Sequence, residues 1–407
     1  MTNPGEILPQ SGKVHFRPTT IRFLHVGISP LQQTSRNRKQ RFSVRVFRLN
    51  FSWQHVNSND PNFRGRGAAS NPTNRFEKIT LDRFEDWDPA EDPAPATQFF
   101  KDATSSIINY NDSPDVGFDA SINVYRGCEH GCIYCFARPT HEFLGFSAGL
   151  DFETRIMVKE DAPELLRAEL ASPKWKPQVL AMSGVTDCYQ PIERKLRLTR
   201  RCLEVLADFR NPVVIITKNH LVTRDIDLLA ELALHRAVSV HVSVTSLDAS
   251  LTPILEPRAS LPKHRLAAIR ALSEAGVPVG VLAAPMIPGL TDHELPSIIA
   301  EAAKAGAHYA GYVPVRLPFA VKDLFADWLG RHFPGRKDKV LNRIRAMRGG
   351  KLNDSNFGSR MQGEGIFAEQ LSRMFVVSTR KAGLFGKHSD LSTASFRRLE
   401  RNQLTLL

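Results

Sequence analysis

Three cysteines lie within eight consecutive residues of this chain, at C-x3-C-x2-C spacing: Cys128, Cys132 and Cys135. Three thiolates with this spacing can bind three irons of a cubane cluster and leave the fourth iron without a protein ligand. Such an open iron can bind a substrate or cofactor. Gly127 and Gly131 flank and interrupt the group, and they allow the backbone angles that wrapping around a cluster requires. The spacing therefore predicts an iron–sulfur cluster.

Two other kinds of site could use the same cysteines. A zinc site would need a fourth ligand, such as His130 or His141, and the spacing is unusual for zinc. Three buried structural thiols are a poorer explanation, because the segment holds polar residues and glycine and follows directly after a predicted strand. Five cysteines in 407 residues are too few for a disulfide scaffold, which favours metal binding in a reducing compartment.

Short apolar strands alternate with segments of helical periodicity from about residue 118 onward, and these elements must position the cysteines. The strands are predicted at Ala120–Tyr125, Gln178–Ser183, Val213–Thr217, Val238–Val244, Val279–Ala284 and Tyr309–Val315. The helices are predicted at about 160–171, 191–209, 223–235, 262–275, 292–305 and 318–332. Six βα units are too few for the closed eight-fold barrel, so the sequence predicts an α/β fold with a partial (βα)6 parallel barrel. Catalytic residues should lie at the carboxyl ends of its strands.

The positive charge is concentrated at the amino terminus. Residues 1–80 carry 13 Lys and Arg against 3 Asp and Glu, a net charge of +10, whereas residues 81–407 carry 41 against 39, a net charge of +2. The first segment is either an adventitious extension or a basic arm that contacts phosphates. We expect four regions: a disordered basic N-terminal extension over 1–60, a linker and lead-in over 61–117, the core over 118–332, and a small helical C-terminal extension with a tail over 333–407.

The apolar residues of the chain are spread over short segments. No apolar run approaches the roughly 18 residues that a membrane helix needs, and the amino terminus lacks the pattern of an export signal. We therefore expect a cytoplasmic protein that does not enter a membrane.

Polar residues follow the predicted strands. Ser183, Thr186 and Asp187 come after the second strand, where they can accept hydrogen bonds from a ligand or merely cap the next helix. Lys218 follows the third strand and can pair with a carboxylate there, although a lysine in a loop is usually only solvated. The fourth strand contains Ser243 and leads into Thr245.

The cysteine segment resembles the cluster loop of the radical S-adenosylmethionine (SAM) superfamily, where the residue before the last cysteine is usually aromatic, as Tyr134 is here. The resemblance implies a [4Fe-4S] cluster whose open iron binds SAM, and an external reductant such as flavodoxin or ferredoxin. Reduction would cleave SAM to methionine and a 5′-deoxyadenosyl radical, which abstracts hydrogen from a substrate. The superfamily's partial barrel agrees with the six predicted strands.

A narrower resemblance, over about residues 118–300, is to spore photoproduct lyase and the bacterial proteins often labelled DNA repair photolyases. It rests on Ser183-Gly184-Val185-Thr186-Asp187, Thr217-Lys218, Val242-Ser243-Val244-Thr245-Ser246, Leu255-Glu256-Pro257 and Ala284-Pro285. It implies damaged DNA as substrate and a SAM site formed by Tyr134, Ser183, Gly184, Thr186, Asp187, Lys218, Ser243 and Arg258. Alternatives are a radical SAM enzyme for RNA, a peptide or a metabolite, and a non-catalytic iron–sulfur or zinc module that binds nucleic acid.

One position departs from the lyase pattern. Spore photoproduct lyase carries a cysteine that returns hydrogen to the product radical directly after the serine of the second strand end, and Gly184 stands there in this chain. Cys188, four residues further on, is a candidate hydrogen donor, but a lone cysteine is more commonly a small buried hydrophobe. Cys202 lies on an apolar helical stripe and is predicted to be a core residue.

Overall fold

The computed structural model describes residues 65–76, 96–387 and 390–399, so the predicted extension over 1–60 lies outside the described residues. The strands in these ranges are β1 (Gln98–Lys101), β2 (Ile108–Tyr110), β3 (Ala120–Ile122), β4 (Tyr125–Arg126), β5 (Arg155–Val158), β6 (Leu180–Met182), β7 (Val213–Thr217), β8 (Val238–Ser243), β9 (Val279–Met286) and β10 (Tyr309–Pro314). The α-helices are α1 (Leu150–Thr154), α2 (Ala162–Ala171), α3 (Glu193–Leu196), α4 (Leu198–Phe209), α5 (Ile226–Leu234), α6 (Thr252–Leu255), α7 (Pro262–Glu274), α8 (Leu295–Lys304), α9 (Val321–His332), α10 (Lys337–Ala346), α11 (Ser359–Gln362) and α12 (Gly365–Lys381).

Seven strands form the main sheet, in the order β10-β9-β8-β7-β6-β3-β2. The first six pair in parallel and are the six strands predicted from the sequence, while β2 adds an antiparallel edge strand that the sequence analysis missed. In the described part of the chain β2 and β10 are the two edges, so the sheet stays open. The predicted α/β fold with a partial parallel barrel is confirmed.

The two faces of the main sheet differ in burial. On β7, Val213 and Ile215 are fully buried beneath the helices, whereas Val214 and Ile216 point to the other face and are partly exposed. Alternation with a period of two is the geometry of any strand, so the partly exposed residues define one continuous inner face. On β7 the inner face is therefore the less buried one, whereas on the neighbouring β8 the inner-face residues Ser239 and Ser243 are buried.

The amino end of this inner face is closed by Tyr309. Tyr309 pairs with Gly280 across β9 and β10, and a Cβ at Gly280 would lie only 2.0 Å from the Tyr309 ring, so only glycine leaves room for it. The Tyr309 hydroxyl bonds to Ser239 and lies 3.1 Å from the main-chain oxygen of Val240. The ring of His241 packs 4.9 Å from the Tyr309 ring. These contacts fill the amino end of the inner face at β8, β9 and β10.

The carboxyl-terminal part follows the core with helices, as predicted. Residues 390–399, which the sequence analysis placed in a tail, pack against the end of α4 instead. The Arg397 amide donates to the carbonyl of Phe209 (2.9 Å), and the Phe396 ring lies 6.2 Å from the Phe209 ring. None of the helices in the described ranges is long and apolar enough to cross a bilayer.

Candidate functional site

The cysteine loop begins directly after β4, near the carboxyl end of β3. The Cys128 amide donates to the carbonyl of Phe152 (2.9 Å), and the Cys135 amide donates back to the carbonyl of Cys132 (3.2 Å). Gly127 and Gly131 have φ angles of 82° and 66°, in the left-handed region that favours glycine. The structure therefore uses these two glycines as the sequence predicts, to turn the chain around the cysteines.

Arg138 holds the main chain of the loop from beneath. This fully buried side chain donates from Nε to the carbonyl of Cys132 (3.0 Å) and from Nη2 to the carbonyl of Gly131 (3.2 Å). It also donates to the carbonyl of Gly149 (2.9 Å) and forms an ion pair with Glu153. Sequence reasoning missed Arg138 because a single arginine after the last cysteine carries no periodic signal.

The segment 65–76 packs against the outside of the loop, although its sequence indicated only a turn. The amides of Gly67 and Ala68 donate to the Glu153 carboxylate at 2.9 and 2.8 Å. A Cβ on Gly67 would lie 1.8 Å from the carbonyl oxygen of Gly131, so the two backbones are in direct contact. Residues of the lead-in thus form part of the support of the cysteine loop.

The three thiols fit a shared iron–sulfur cluster. They form no disulfide, and Cys128 and Cys132 are almost fully buried while Cys135 is partly exposed. Burial, and then the negative charges of Asp187 and the other two cysteines, raise the pKa of Cys128, so a bound cation is needed to hold all three as thiolates. No three His, Cys, Asp or Glu side chains of the described ranges surround a point that one ion could occupy. In a cubane cluster, by contrast, each thiolate binds a different iron, so the three sulfurs need not surround one point.

The two histidines named for the zinc alternative have other contacts. Nε2 of His130 bonds to the side-chain amide of Asn219 (3.1 Å), and Nδ1 faces the Asp187 carboxylate at 3.4 Å. His141 is fully buried, with its ring packed against Phe146 and Phe152. Both nitrogens of His130 are therefore engaged away from the cysteines.

Asp187 joins the cysteine loop to the end of β7. Its buried carboxylate accepts hydrogen bonds from the Lys218 amide (2.7 Å), the Thr217 hydroxyl (2.8 Å) and the Tyr189 amide (2.9 Å), besides facing His130. Burial alone would raise its pKa, but His130 and the two amide donors outweigh burial and bring the pKa of Asp187 to about 2. Asp187 is thus a buried anion that joins the segment after β6 to the end of β7.

The hydroxyls of Ser183 and Thr186 form hydrogen bonds with main-chain groups of the protein. The Ser183 hydroxyl accepts from the Cys188 amide (2.8 Å), and the Thr186 hydroxyl donates to the carbonyl of Tyr125 (2.9 Å). Ser183 has a φ of 77°, so the chain turns sharply as it leaves β6. Neither contact caps the next helix, α3, which has no side-chain cap at its amino end.

Tyr134 belongs to a buried polar network at the carboxyl end of β8. Its hydroxyl bonds to Glu256, which also accepts from the Thr245 hydroxyl (2.7 Å) and pairs with Arg265. Burial would raise the pKa of Glu256, but the positive charges of Arg265 and Lys218 outweigh it and bring the pKa to about 2. The network fixes the Tyr134 ring beside the cysteines, and the sequence analysis assigned no role to Glu256 or Arg265.

Lys218 and Ser243 lie side by side on the inner face. The register pairs Thr217 of β7 with Val242 of β8, and Lys218 and Ser243 are the next residues along these strands. The Lys218 ammonium lies 5.9 Å from the centre of the Tyr134 ring. Within the described residues, neither the Lys218 ammonium nor the Ser243 hydroxyl forms a hydrogen bond or ion pair. The partly exposed Lys218 ammonium is therefore available to a ligand, whereas the Ser243 side chain is buried.

Arg258 lies on the outer side of the cysteine loop. Its guanidinium pairs with Glu129 (2.8 Å) and donates to the Thr97 hydroxyl (3.2 Å), and it lines a cavity of about 550 Å³. Arg258 therefore binds a residue of the loop, and no contact in the described part joins its side chain to Lys218 or Ser243.

Cys188 and Gly184 have different surroundings. Cys188 is 2% exposed and belongs to the main hydrophobic core, and burial raises its pKa well above that of a free thiol. Gly184 is partly exposed, and a Cβ built there would lie 3.6 Å from the Cβ of Ser121, an ordinary contact. Ser121 lies one strand away on β3. Cys202 is also buried in the core, as predicted.

Three arginines that follow the core, Arg343, Arg348 and Arg360, are engaged in internal contacts. Arg348 is buried and donates to the main-chain oxygens of Val315 and Arg360. Arg360 in turn pairs with Asp115, and Arg343 faces Asp292 at 3.4 Å. These three side chains hold the C-terminal extension to the core.

Comparison with known proteins agrees with the fold and the cysteine loop. The family model of the radical SAM superfamily matches residues 122–302. The core of the chain is thus similar to this superfamily, whose cofactors are a [4Fe-4S] cluster and SAM. Solved structures of spore photoproduct lyase share the fold, with a TM-score of 0.51 and 17% identity over 71% of this chain and 79% of that one. One of these lyase structures contains AdoMet and dinucleoside spore photoproduct, at a TM-score of 0.50.

Two sequence relatives are uncharacterized proteins. One, from Mycobacterium bovis, is 39% identical over 219 residues, which are 53% of this chain and 64% of the relative. Another, from Methanocaldococcus jannaschii, is 31% identical over 173 residues, which are 42% of this chain and 62% of the relative. The chain thus spans slightly less than two thirds of the length of these relatives.

Proposed function

We propose that this chain is a radical SAM enzyme whose cluster is held by Cys128, Cys132 and Cys135. When bound and reduced, the cluster supplies the electron that cleaves SAM and so yields a 5′-deoxyadenosyl radical for hydrogen abstraction. One observation carries the proposal: the cysteine loop lies beside Lys218 and Ser243, whose side chains form no hydrogen bond or ion pair among the described residues, at the carboxyl end of the inner face. That end is where parallel α/β folds bind ligands.

Each inner-face residue has a role in this proposal. Lys218 pairs with the carboxylate of SAM, and Ser243 donates to its ribose or carboxylate oxygens. Tyr134, fixed by Glu256, packs beside the cofactor. Asp187 positions the end of β7, and so the backbone of Lys218, by the bond to the Lys218 amide. The protein's work is to orient SAM and substrate and to exclude other hydrogen donors.

Anaerobic reconstitution with iron and sulfide tests the proposal. We expect about four irons per chain, and 5′-deoxyadenosine from SAM after addition of dithionite. Cys132→Ala should lose both iron and product, whereas Cys202→Ala, a change in the helix core, should keep both. Zinc without iron, or intact SAM after reduction of a fully loaded wild-type chain, would show that the proposal is wrong.

We further propose a nucleic-acid substrate, with damaged DNA first. Arg316 supports this choice because it follows β10 at the open end of the inner face. Its guanidinium stacks 5.0 Å from the ring of Phe136, the residue after the last cysteine, and donates to the sulfur of Met361 (3.3 Å). Burial, and then the charge of Arg360, lower the pKa of Arg316, and in the described ranges no carboxylate lies within ion-pair distance of it. A phosphate would relieve this repulsion.

A phosphate-specific binding experiment tests the substrate. Thymidine dinucleotide with a natural phosphate should bind the reconstituted chain more tightly than its uncharged methylphosphonate analogue, and Arg316→Gln should remove the difference. Arg345→Gln is the matched control, because Arg345 is exposed and bonds only to Asn342 of its own helix. Equal binding of both dinucleotides to the wild type, or deuterium transfer to 5′-deoxyadenosine from a peptide or metabolite instead, would exclude nucleic acid.

A further inference from the structure

A cavity of about 550 Å³ opens on the outer side of the cysteine loop, apart from the inner face. It is lined by three cationic residues, Arg66, Lys195 and Arg258, together with Glu129 and the aromatic ring of Phe99. None of the inner-face residues assigned to SAM lines it. The cavity is thus a second candidate site.

The cavity carries excess positive charge. Glu129 is its only acidic lining residue in the described ranges, and that carboxylate is already bound by Arg258 (2.8 Å) and by the amide of Ile192 (2.8 Å). Burial, and then the positive charge of Arg258, lower the pKa of Arg66. Lys195 is exposed and has no ion pair among the described residues. An anionic group placed here would be stabilised by all three cations.

The wall of the cavity is the cysteine loop itself. Glu129 directly follows the ligand Cys128, and its amide is fixed by the side chain of Gln190 (2.9 Å). The Arg258 amide also donates to the carbonyl of the next loop residue, His130 (3.2 Å). A molecule bound in the cavity therefore lies against the backbone that carries the first cysteine.

We propose that this surface docks an acidic one-electron carrier protein, an inference that rests on the proposed function. Its acidic side chains would enter among the three cations, while the apolar rim of its cofactor packs against Phe99, which is 43% exposed. The carrier loses one electron and the cluster gains it, and no bond forms or breaks. The exposed Arg194 and Arg197 extend the positive surface beyond the cavity and would steer the approach of the carrier.

Binding of a purified flavodoxin, an acidic carrier, tests the surface without reference to catalysis. Calorimetry across a salt series should show affinity that falls as salt rises, and Lys195→Glu should weaken binding about tenfold. Lys304→Glu is the matched control, because Lys304 is an exposed lysine at the end of α8, at the opposite end of the sheet. Equal affinities of Lys195→Glu and wild type would overturn the proposal, as would a cavity that binds phosphate but no carrier.

Turnover separates this inference from the proposed function. With reduced flavodoxin, Lys195→Glu should form 5′-deoxyadenosine about tenfold more slowly than wild type, while dithionite, which needs no docking surface, should drive both proteins equally. A wild type that is inactive with dithionite contradicts the proposed function itself. Full activity with dithionite together with unchanged flavodoxin kinetics in Lys195→Glu contradicts only the docking surface.

Discussion

The guanidinium of Arg138 and the carboxylate of Glu153 form an ion pair of 2.5 Å in which both side chains are completely buried. On one side of the pair, the Glu153 carboxylate accepts hydrogen bonds from the amides of Gly67 and Ala68. On the other side, Arg138 donates a hydrogen bond to the carbonyl of Cys132. The pair therefore joins the lead-in, α1 and the cysteine loop into one unit.

Arg138→Ala should destabilise the chain and abolish cluster loading. Removal of one partner leaves Glu153 as an unpaired buried charge, which costs about 3–5 kcal/mol, and it also frees the loop carbonyls. Arg138→Lys should restore only part of the lost stability and iron loading, because a lysine ammonium cannot reproduce the set of hydrogen bonds that the planar guanidinium donates. Urea unfolding and iron per chain measure both effects.

Arg167→Ala is the control for this prediction. It breaks an exposed pair with Asp208, and such pairs contribute about 0–1 kcal/mol. Normal iron content in Arg138→Ala would show that the loop keeps its shape without this contact.

Gly67→Ala should lower iron content without removing any donor or acceptor. Its new Cβ would lie 1.8 Å from the carbonyl oxygen of Gly131, a contact that forces the lead-in away from the loop. Gly117→Ala is the matched control, since a Cβ there meets nothing within 4 Å. Iron per chain after reconstitution is the measurement, and equal loading of the two variants would contradict the direct contact of the two backbones.

The six parallel strands could be predicted, and the three cysteines could be singled out, because their signals are local. Apolar runs such as Val213–Thr217 and the close spacing of the cysteines need no knowledge of distant residues. The edge strand Ile108–Tyr110 was missed because three residues are too few for a period-two pattern.

The support of the site could not be predicted, because it joins residues that are far apart in sequence. Gly67 meets Gly131 through backbone atoms only, and Tyr134 meets Glu256 across 122 positions. A backbone amide or a single carboxylate carries no sequence pattern. The rule that ligands bind at strand ends drew attention to Lys218 and Ser243, but it could not show that the hydroxyls of Ser183 and Thr186 bond to main-chain groups.

Lys218→Ala should weaken SAM binding while iron loading stays normal. A charge-assisted hydrogen bond contributes about 1.5–3 kcal/mol, which corresponds to about 10- to 100-fold in affinity. Equilibrium dialysis with labelled SAM measures the loss. Lys263→Ala, an exposed lysine at the start of α7, is the control. Unchanged affinity in Lys218→Ala would remove Lys218 from the cofactor site.

His241 should make the fold less stable as pH falls from about 6.5 toward 4. Burial lowers the pKa of His241 to about 4, so in this window the unfolded chain binds a proton that the folded chain does not. Because the ring is only partly buried on the inner face, we expect a loss of about 1–2 kcal/mol between pH 7 and 5. His241→Gln should lose that part of the pH dependence in urea unfolding. An identical pH dependence of both proteins would contradict this assignment.

Cys188 and a cysteine introduced at position 184 should differ in their reactivity toward an alkylating reagent. Gly184→Cys should fold and load iron normally, because its Cβ makes only ordinary contacts with Ser121 and its φ lies outside the left-handed region. The new thiol opens onto the inner face and should be alkylated by iodoacetamide in the reconstituted protein. Cys188, buried and with a raised pKa, should not react until the chain unfolds.

Two variants, Cys188→Ala and Gly184→Cys, test which thiol can return hydrogen to the product radical. A core thiol should be replaceable, so Cys188→Ala should lose some stability but keep the ratio of product to 5′-deoxyadenosine. A changed ratio in Cys188→Ala, measured with a substrate that transfers deuterium, would instead assign the donor role to Cys188. A thiol can return hydrogen only to a radical that it contacts. If Gly184→Cys raises the ratio of product to 5′-deoxyadenosine, position 184 therefore faces the product radical.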